Sequence, residues 1–265
     1  MKTMDKILVI LQKEWLEIRQ QRGLLFGVLL PPLLFTLIPL GIIYLSGSLV
    51  SNGTLSSPGK SFPGPAFAGM TTVEQGQAML GSQFSIFYVL LPVLVTSIIA
   101  SYSIVGEKTS KTLEPLLATP VRTWELLLSK CLAALIPGLM VTWVSGTLFV
   151  IGTAAFAISG RVFSAIVSPG WLVVFLLWTP LLGTVAIAAM LAISSRVNDP
   201  RSAQQLSVWI IVPFFAMFFG ELAGLRVLGL AFTLSIAVVL LVLAVLSIWG
   251  ASRLFQREVI LTRWK

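Results

Sequence analysis

The feature that most constrains this chain is a series of long apolar runs separated by short polar segments. Six runs are bounded by charged residues and approach or exceed the roughly 20 residues with which a helix crosses a bilayer. They cover residues 24–45, 83–105, 126–158, 171–194, 204–219 and 227–250, of which the third is long and the fifth is short. The sequence therefore predicts an all-α polytopic membrane protein with six transmembrane helices.

The composition agrees with this prediction and excludes several kinds of chemistry. Hydrophobic residues make up 57% of the chain and charged residues only 11%, whereas charged residues make up about 25% of an average soluble domain. Because the sequence has no histidine, it cannot hold a Ser-His-Asp triad or an HExxH zinc site. Its single cysteine, Cys131, cannot form a disulfide within the chain. We predict no catalytic residue and no metal site.

The basic residues predict the orientation of the chain in the membrane. Lysine and arginine near the ends of spans tend to remain cytoplasmic. The four polar segments on one side, including both termini, hold five, four, two and four of these residues, against three on the other side. Both termini are therefore predicted to be cytoplasmic. The same asymmetry accounts for the formal charge of +8 without a nucleic-acid partner.

Residues 1–23 are predicted to form a cytoplasmic amphipathic helix. Apolar side chains recur at helical spacing, and Lys6 and Lys13 lie largely off their face. This stripe consists of Met4, Ile7, Leu8, Leu11, Trp15 and Ile18. With no soluble core to meet, it would lie along the membrane interface, with Trp15 at headgroup depth and a turn into the bilayer at Gly23. A solvated juxtamembrane helix is the alternative.

The segment between the second and third spans, residues 106–130, carries the most informative local pattern. Thr112 can cap a short helix with Glu114 in its first turn, and Thr119 and Pro120 repeat this signal at the start of a second helix. The apolar side of the pair would consist of Leu113, Leu116 and Leu117. We predict a short helix hairpin suited to contact another protein. A plain polar loop, the alternative, would seldom carry two caps and a leucine face.

This segment resembles the coupling-helix signature of ABC type-2 exporter permeases. The positions that would contact an ATPase are Glu107, Lys108, Thr112, Leu113, Glu114, Leu117, Thr119 and Pro120. Residues 194–205 and 254–265 also agree with that family, so the resemblance extends over nearly the whole chain. Lys111 and Ser129 stand where the family often has glycine, and neither change removes a charge or a cap.

The resemblance implies a membrane-spanning permease subunit of an ATP-driven exporter that works by alternating access. No GxxxxGK[ST] phosphate loop occurs in the sequence, so a separate ATPase chain would bind the ATP and Mg, and this chain would carry no cofactor of its own. The expected assembly contains two copies of the ATPase subunit and a second permease chain, either identical or different. Its expected location is the bilayer of the bacterial cytoplasmic (inner) membrane.

An ATP-independent secondary transporter or channel is the alternative function. A secondary transporter usually has an inverted repeat or an ionisable residue at mid-membrane. The two halves of the sequence show no repeat, and Glu221, the one acid expected deep enough to matter, lies at the end of a span. The scarcity of charge in the spans favours drugs, lipids or other amphiphiles over small ions as substrates.

Prolines within the spans are candidate hinges, because each removes a backbone hydrogen bond and permits a kink. The candidates are Pro39, Pro92, Pro137, Pro180 and Pro213. Proline is also simply common in membrane helices, and that explanation needs no functional role.

The remaining predictions concern segments at the edges of the spans. Glu221 and Arg226 lie between the fifth and sixth spans, where we expect a re-entrant outer hairpin, and they form either part of the substrate pathway or a structural pair. The outer loop, residues 46–82, is rich in serine, glycine and proline and is predicted to be mostly irregular. Within the six-span domain, residues 24–265, the last fifteen residues, 251–265, would form a cytoplasmic tail.

Overall fold

A computed structural model describes residues 3–51, 69–105, 123–194 and 229–254, together with isolated positions between 202 and 220. Within these residues the chain is helical and has no strand. Five helical segments are long and apolar enough to cross a membrane: Arg22–Ser48, Thr72–Ser103, Leu128–Phe156, Pro169–Ile193 and Leu230–Gly250. They correspond to predicted spans one, two, three, four and six. The predicted fifth span lies largely outside the described residues.

The helices are numbered in chain order, and two of the spans contain non-α turns. Helix α1 covers Thr3–Gln20, and α2, Arg22–Ser51, forms span one. Span two consists of α3, Thr72–Ser85, a 3-10 turn at Ile86–Val89, α4, Leu90–Ala100, and a π turn at Ser101–Val105. Span three is α5, Thr123–Phe156, which is followed by the short α6, Gly160–Ile166. Span four consists of α7, Pro169–Val173, a π turn at Val174–Trp178, and α8, Thr179–Ser194; α9, Leu230–Leu254, forms span six.

Span two lies at the centre of the described bundle. In its most apolar stretch 83% of the residues are buried, against 50% or less in each of the other four spans. Its helix α4 packs against α2, α5 and α8. Small residues permit this close approach, as they do in other membrane bundles. At Gly138 of α5, for example, an added Cβ would overlap the side chain of Thr96 in α4.

The turn between α1 and α2 lies at Gln21, so the prediction of a turn at Gly23 is wrong. Gly23 is the second residue of α2. The Gln21 N–H donates to the Glu17 carbonyl at 3.3 Å, and the Leu24 N–H donates to the Gln21 carbonyl at 3.1 Å. These hydrogen bonds keep the backbone close to helical across the junction. The conformational freedom of glycine is therefore not required there.

The prediction of irregular structure over residues 46–82 is wrong at both of its ends. Helix α2 continues to Ser51, and α3 begins at Thr72. A capping box determines the start of α3. The Thr71 hydroxyl accepts from the Glu74 N–H at 3.4 Å, and the Glu74 carboxylate accepts from the Thr71 N–H at 2.8 Å. A helix that begins with polar residues escapes a search for apolar runs. Residues 52–68 lie outside the described part of the chain.

Two of the candidate hinge prolines adjoin the non-α turns. Pro92 is the third residue of α4, directly after the 3-10 turn, and Pro180 is the second residue of α8, directly after a π turn. Since proline has no N–H to complete the preceding α-helical turn, that turn can tighten or widen. Pro39 and Pro137 lie inside uninterrupted helices, and Pro213 lies outside the described residues. Their role as hinges stays a prediction.

Candidate functional site at the junction of α1 with spans two and three

Helix α1 packs along the first turns of α5. Ile7 and Leu11 are buried against Ala133 and its neighbours on α5. The apolar stripe therefore packs on α5, which forms span three, and its place at the membrane interface stays a prediction. Met4 and Leu8, which were predicted on the same face, are more than half exposed. The buried face of α1 is thus narrower than predicted, and it continues past Leu11 to a charged residue.

That residue is Glu14, which forms a buried ring of hydrogen bonds with Ser103 and Lys130. Only 2% of the Glu14 side chain and 5% of the Lys130 side chain are exposed. Lys130 Nζ donates to Glu14 Oε1 at 2.9 Å, and the Ser103 hydroxyl donates to Glu14 Oε2 at 2.6 Å. Lys130 Nζ also lies 3.2 Å from the Ser103 carbonyl oxygen and 3.3 Å from its hydroxyl oxygen. We call these three residues the Glu14 junction.

Each member of the Glu14 junction is placed by its own element. Ser103 belongs to the π turn at the end of span two, and such turns redirect side chains that an α-helix would place elsewhere. Lys130 lies two turns into α5, whose 34 residues extend for about 50 Å, against about 30 Å for a hydrocarbon core. The length of α5 allows its first turns to carry charge. Both oxygens of the buried carboxylate have hydrogen-bond donors, which is what a buried ion pair requires.

Further polar contacts surround the junction and join α1 to α5. Lys6 Nζ lies 3.9 Å from the buried carboxylate of Glu125, and Lys13 Nζ lies 3.9 Å from Glu14 Oε1. The Trp15 indole N–H donates to the Ala133 carbonyl at 3.4 Å. In a regular α-helix, the Ala133 carbonyl would accept from the N–H of residue 137. Pro137 has no N–H, so this carbonyl is available to Trp15. Trp15 thus contacts α5 through its polar edge, while its ring remains half-exposed.

The Glu14 junction adjoins both ends of the predicted coupling segment, 106–130. Ser103 lies three residues before the segment begins, and Lys130 is its last residue. The predicted ATPase-contacting residues Glu107, Lys108, Thr112, Leu113, Glu114, Leu117, Thr119 and Pro120 all lie outside the described residues. So do Glu221 and Arg226. The structure therefore describes the base from which the segment departs and to which it returns.

Glu14 was not among the predicted site residues, although the sequence contains a signal for it. Glu14 follows Ile7 by seven residues and Leu11 by three, and it precedes Ile18 by four. This spacing places an acid in the middle of an apolar helical face. A charge in such a position predicts a buried partner. The identity of that partner, 116 residues away at Lys130, is not encoded in any local pattern.

A second feature is an apolar groove of about 360 Å³ between α2 and α5. It is lined by Leu29, Pro32, Leu33, Thr36, Leu37, Met140, Val141, Val144, Ser145 and Leu148. Thr36 and Ser145 are both in contact with the buried Tyr88 of span two. The Tyr88 hydroxyl lies 3.1 Å from Thr36 Oγ1 and donates to the Ser145 carbonyl at 3.4 Å. Among the described residues, none that lines the groove is charged, so the groove suits an apolar or amphiphilic molecule.

The family model described as ABC-2 family transporter protein matches residues 8–248. The chain belongs to the ABC-2 transporter family. The matched residues include α1 from its second turn, the Glu14 junction, segment 106–130 and all five described spans. No curated protein matches the chain.

Membership of the ABC-2 family makes this chain a membrane component of an ABC transporter, and permeases of this family normally work with an ATPase subunit. The five apolar helices agree with an integral, multi-pass membrane protein.

Proposed function

We propose that this chain is the membrane-spanning permease subunit of an ATP-driven exporter whose energy comes from a separate ATPase. The observation that carries the proposal is the position of segment 106–130 in an ABC-2 family chain. It leaves the central span after Ser103 and returns into α5 ahead of Lys130, so a force on this segment acts on two spans at once. A segment attached only to a peripheral span would move less of the bundle.

The proposed mechanism is alternating access. ATP binding brings two ATPase subunits together and displaces the predicted hairpin of segment 106–130. The displacement moves spans two and three by rigid-body motion, and the substrate site opens alternately to each side. ATP and Mg would bind to the ATPase, and the role of this chain is to convert the motion.

The proposed assembly has two ATPase subunits and a second permease chain in a bacterial inner membrane, with six crossings per permease and both termini cytoplasmic. The excess of basic residues in the four predicted cytoplasmic segments supports this orientation. Many apolar side chains of α2 and α9 are exposed, and they are available to lipid or to a second permease.

The proposed substrates are amphiphiles such as lipids or drugs. The uncharged groove between α2 and α5 supports this class, since apolar side chains bind hydrocarbon without the desolvation of a charge. Small ions would need polar ligands, and the groove offers few.

The proposal can be tested by purifying the tagged chain from its native membrane in mild detergent. We expect an ATP-hydrolysing subunit to co-purify in a one-to-one ratio with the permease. We expect the combined substitution Glu114→Gln and Leu117→Ala to reduce ATP turnover of the reconstituted complex by at least about tenfold, without lowering the melting temperature of the membrane domain. Glu74→Gln, the same change at the far end of the bundle, is the matched control and should leave turnover unchanged.

Transport by the purified chain alone would contradict the proposal. If vesicles that contain only this chain accumulate a fluorescent amphiphile in response to an ion gradient, with no ATPase present, the protein is a secondary transporter. A preparation from native membranes that contains no ATPase would also count against the ABC mechanism.

A further inference from the structure

The Glu14 junction contains a buried ion pair that neither the family match nor the proposed function explains. Glu14 lies on α1, Ser103 at the end of span two, and Lys130 on α5. A buried pair of charges is a poor way to gain stability, because apolar residues of similar volume often do as well or better. What such a pair provides is a defined geometry, since its strength depends on short distances and satisfied hydrogen bonds.

We propose that Glu14 and Lys130 are positioning residues that make α1 move together with the two ends of segment 106–130. The inference rests on the proposed function, because it assigns a role within the coupling between ATPase and spans. Neither residue would contact ATP or substrate. Their role is to keep the end of span two and the start of α5 at a fixed separation while the segment between them is displaced.

The bonding pattern supports this role over simple attachment of α1. Apolar contacts of Ile7 and Leu11 with α5 already hold α1 in place. The Glu14 carboxylate makes a different kind of contact. One of its oxygens accepts from Ser103 and the other accepts from Lys130. Glu14 therefore bridges two elements that are adjacent to the coupling segment. Lys130 also contacts Ser103 directly. Without Glu14 only these weaker contacts hold the two ends together, so each end can shift more freely.

Cys131 provides a native reporter of the position of α1. It is the only cysteine in the chain and directly follows Lys130. It is partly buried against the same apolar cluster as Ile18 of α1. A displacement of α1 should therefore increase the rate at which N-ethylmaleimide labels Cys131.

The test uses the complex of the chain with its co-purifying ATPase, reconstituted in vesicles of phosphatidylethanolamine and phosphatidylglycerol. The variants are Glu14→Gln, the double neutral variant E14Q/K130M and the charge reversal E14K/K130E. Glu17→Gln is the matched control, because Glu17 lies on the same helix and is exposed, with Lys13 as its i−4 partner. The readouts are ATP turnover at saturating ATP, the KM for ATP, the ratio of ATPase to permease, the melting temperature and the labelling rate of Cys131.

We expect Glu14→Gln and E14Q/K130M to lower ATP turnover roughly fivefold, with unchanged KM and an unchanged ATPase ratio, and to accelerate labelling of Cys131. The charge reversal places a carboxylate against the Ser103 carbonyl, to which Lys130 donates, so it should turn over no faster than Glu14→Gln. Glu17→Gln should change neither turnover nor labelling. The decisive variant is E14Q/K130M, because it removes both charges of the pair and should melt close to the wild type while still turning over slowly.

Wild-type turnover in E14Q/K130M would overturn the proposal, since the pair would then serve stability alone. If no ATPase co-purifies with the wild-type chain, the proposed function fails, and the coupling role of the pair fails with it. That outcome is distinguishable from failure of the positioning role alone, because it is seen in the unaltered protein and not only in the variants.

Discussion

At each end of the bundle, polar side chains hold neighbouring helices together, but the two ends use different chemistry. At one end, the Glu14 junction links α1, span two and α5 through a buried ion pair. The other end lies about 30 Å away along α2. There the buried, uncharged amide of Gln77 links neighbouring segments through hydrogen bonds. Its Nε2 donates to the carbonyls of Ile43, at 2.9 Å, and Phe156, at 3.2 Å, and its Oε1 accepts from the Ile158 N–H at 3.0 Å. We call this set the Gln77 junction.

In the proposed mechanism, the charged junction lies at the end of the bundle where geometry must survive motion. Both junctions bridge three segments and use the hydrogen-bonding capacity of one central side chain. A neutral amide contributes about 1 kcal/mol per hydrogen bond and tolerates small displacements. A buried carboxylate that loses its cation has a much larger penalty. The charged junction adjoins segment 106–130, and the neutral one lies far from it.

The largest effect is expected for Lys130→Met. This variant removes the closer of the two cations beside the buried Glu14 carboxylate and leaves only Lys13, whose Nζ lies 3.9 Å away, so we expect the free energy of unfolding to fall by about 3 kcal/mol. Unfolding in detergent micelles, followed by tryptophan fluorescence, measures the change. E14Q/K130M should recover most of the loss, because the neutral pair leaves no buried charge. An equal loss in the double variant would show that packing, and not charge, explains the effect.

A smaller effect is expected for Gln77→Leu, about 2 kcal/mol, because the Ile158 N–H loses its acceptor. The loss should not depend on ionic strength, since no charge takes part. The same unfolding assay at low and high salt provides the measurement. ATP turnover of the complex should stay close to the wild-type value. Turnover as slow as that of E14Q/K130M would mean that both junctions serve coupling, and the comparison would no longer hold.

The smallest effect is expected for Gly81→Ala, which tests packing beside the Gln77 junction. A Cβ at Gly81 in α3 would overlap the side chain of Ile166 in α6. Since the end of an isoleucine side chain can move, we expect a loss of only about 1 kcal/mol. Gly76→Ala in the same helix meets open space and is the matched control, with an unchanged or slightly higher melting temperature. Equal melting temperatures for the two variants would show that α6 is not closely packed on α3.

The candidate site could be predicted only in part. Segment 106–130, with Lys130 as its last residue, is predicted from caps and motif spacing, which are local. Glu14 was overlooked because a charge in a juxtamembrane helix is usually solvated. Its burial depends on α5 lying alongside α1, and its partners are 89 and 116 residues away. Contacts at such separations depend on how the helices pack, and helix periodicity carries no information about them.

Five of the six spans followed from run length and hydropathy, because the bilayer requires a long apolar helix wherever the chain crosses it. The amphipathic helix at the start of the chain followed from its period. Run length and hydropathy do not predict which span lies at the centre of the bundle. Spans one, two and four have the same mean hydropathy, 2.2, yet 28%, 83% and 50% of their most apolar stretches are buried. In a membrane, a side chain that faces lipid is as apolar as one that faces protein. The central place of span two, and the buried pair that joins its end to α1 and α5, therefore depend on packing between helices.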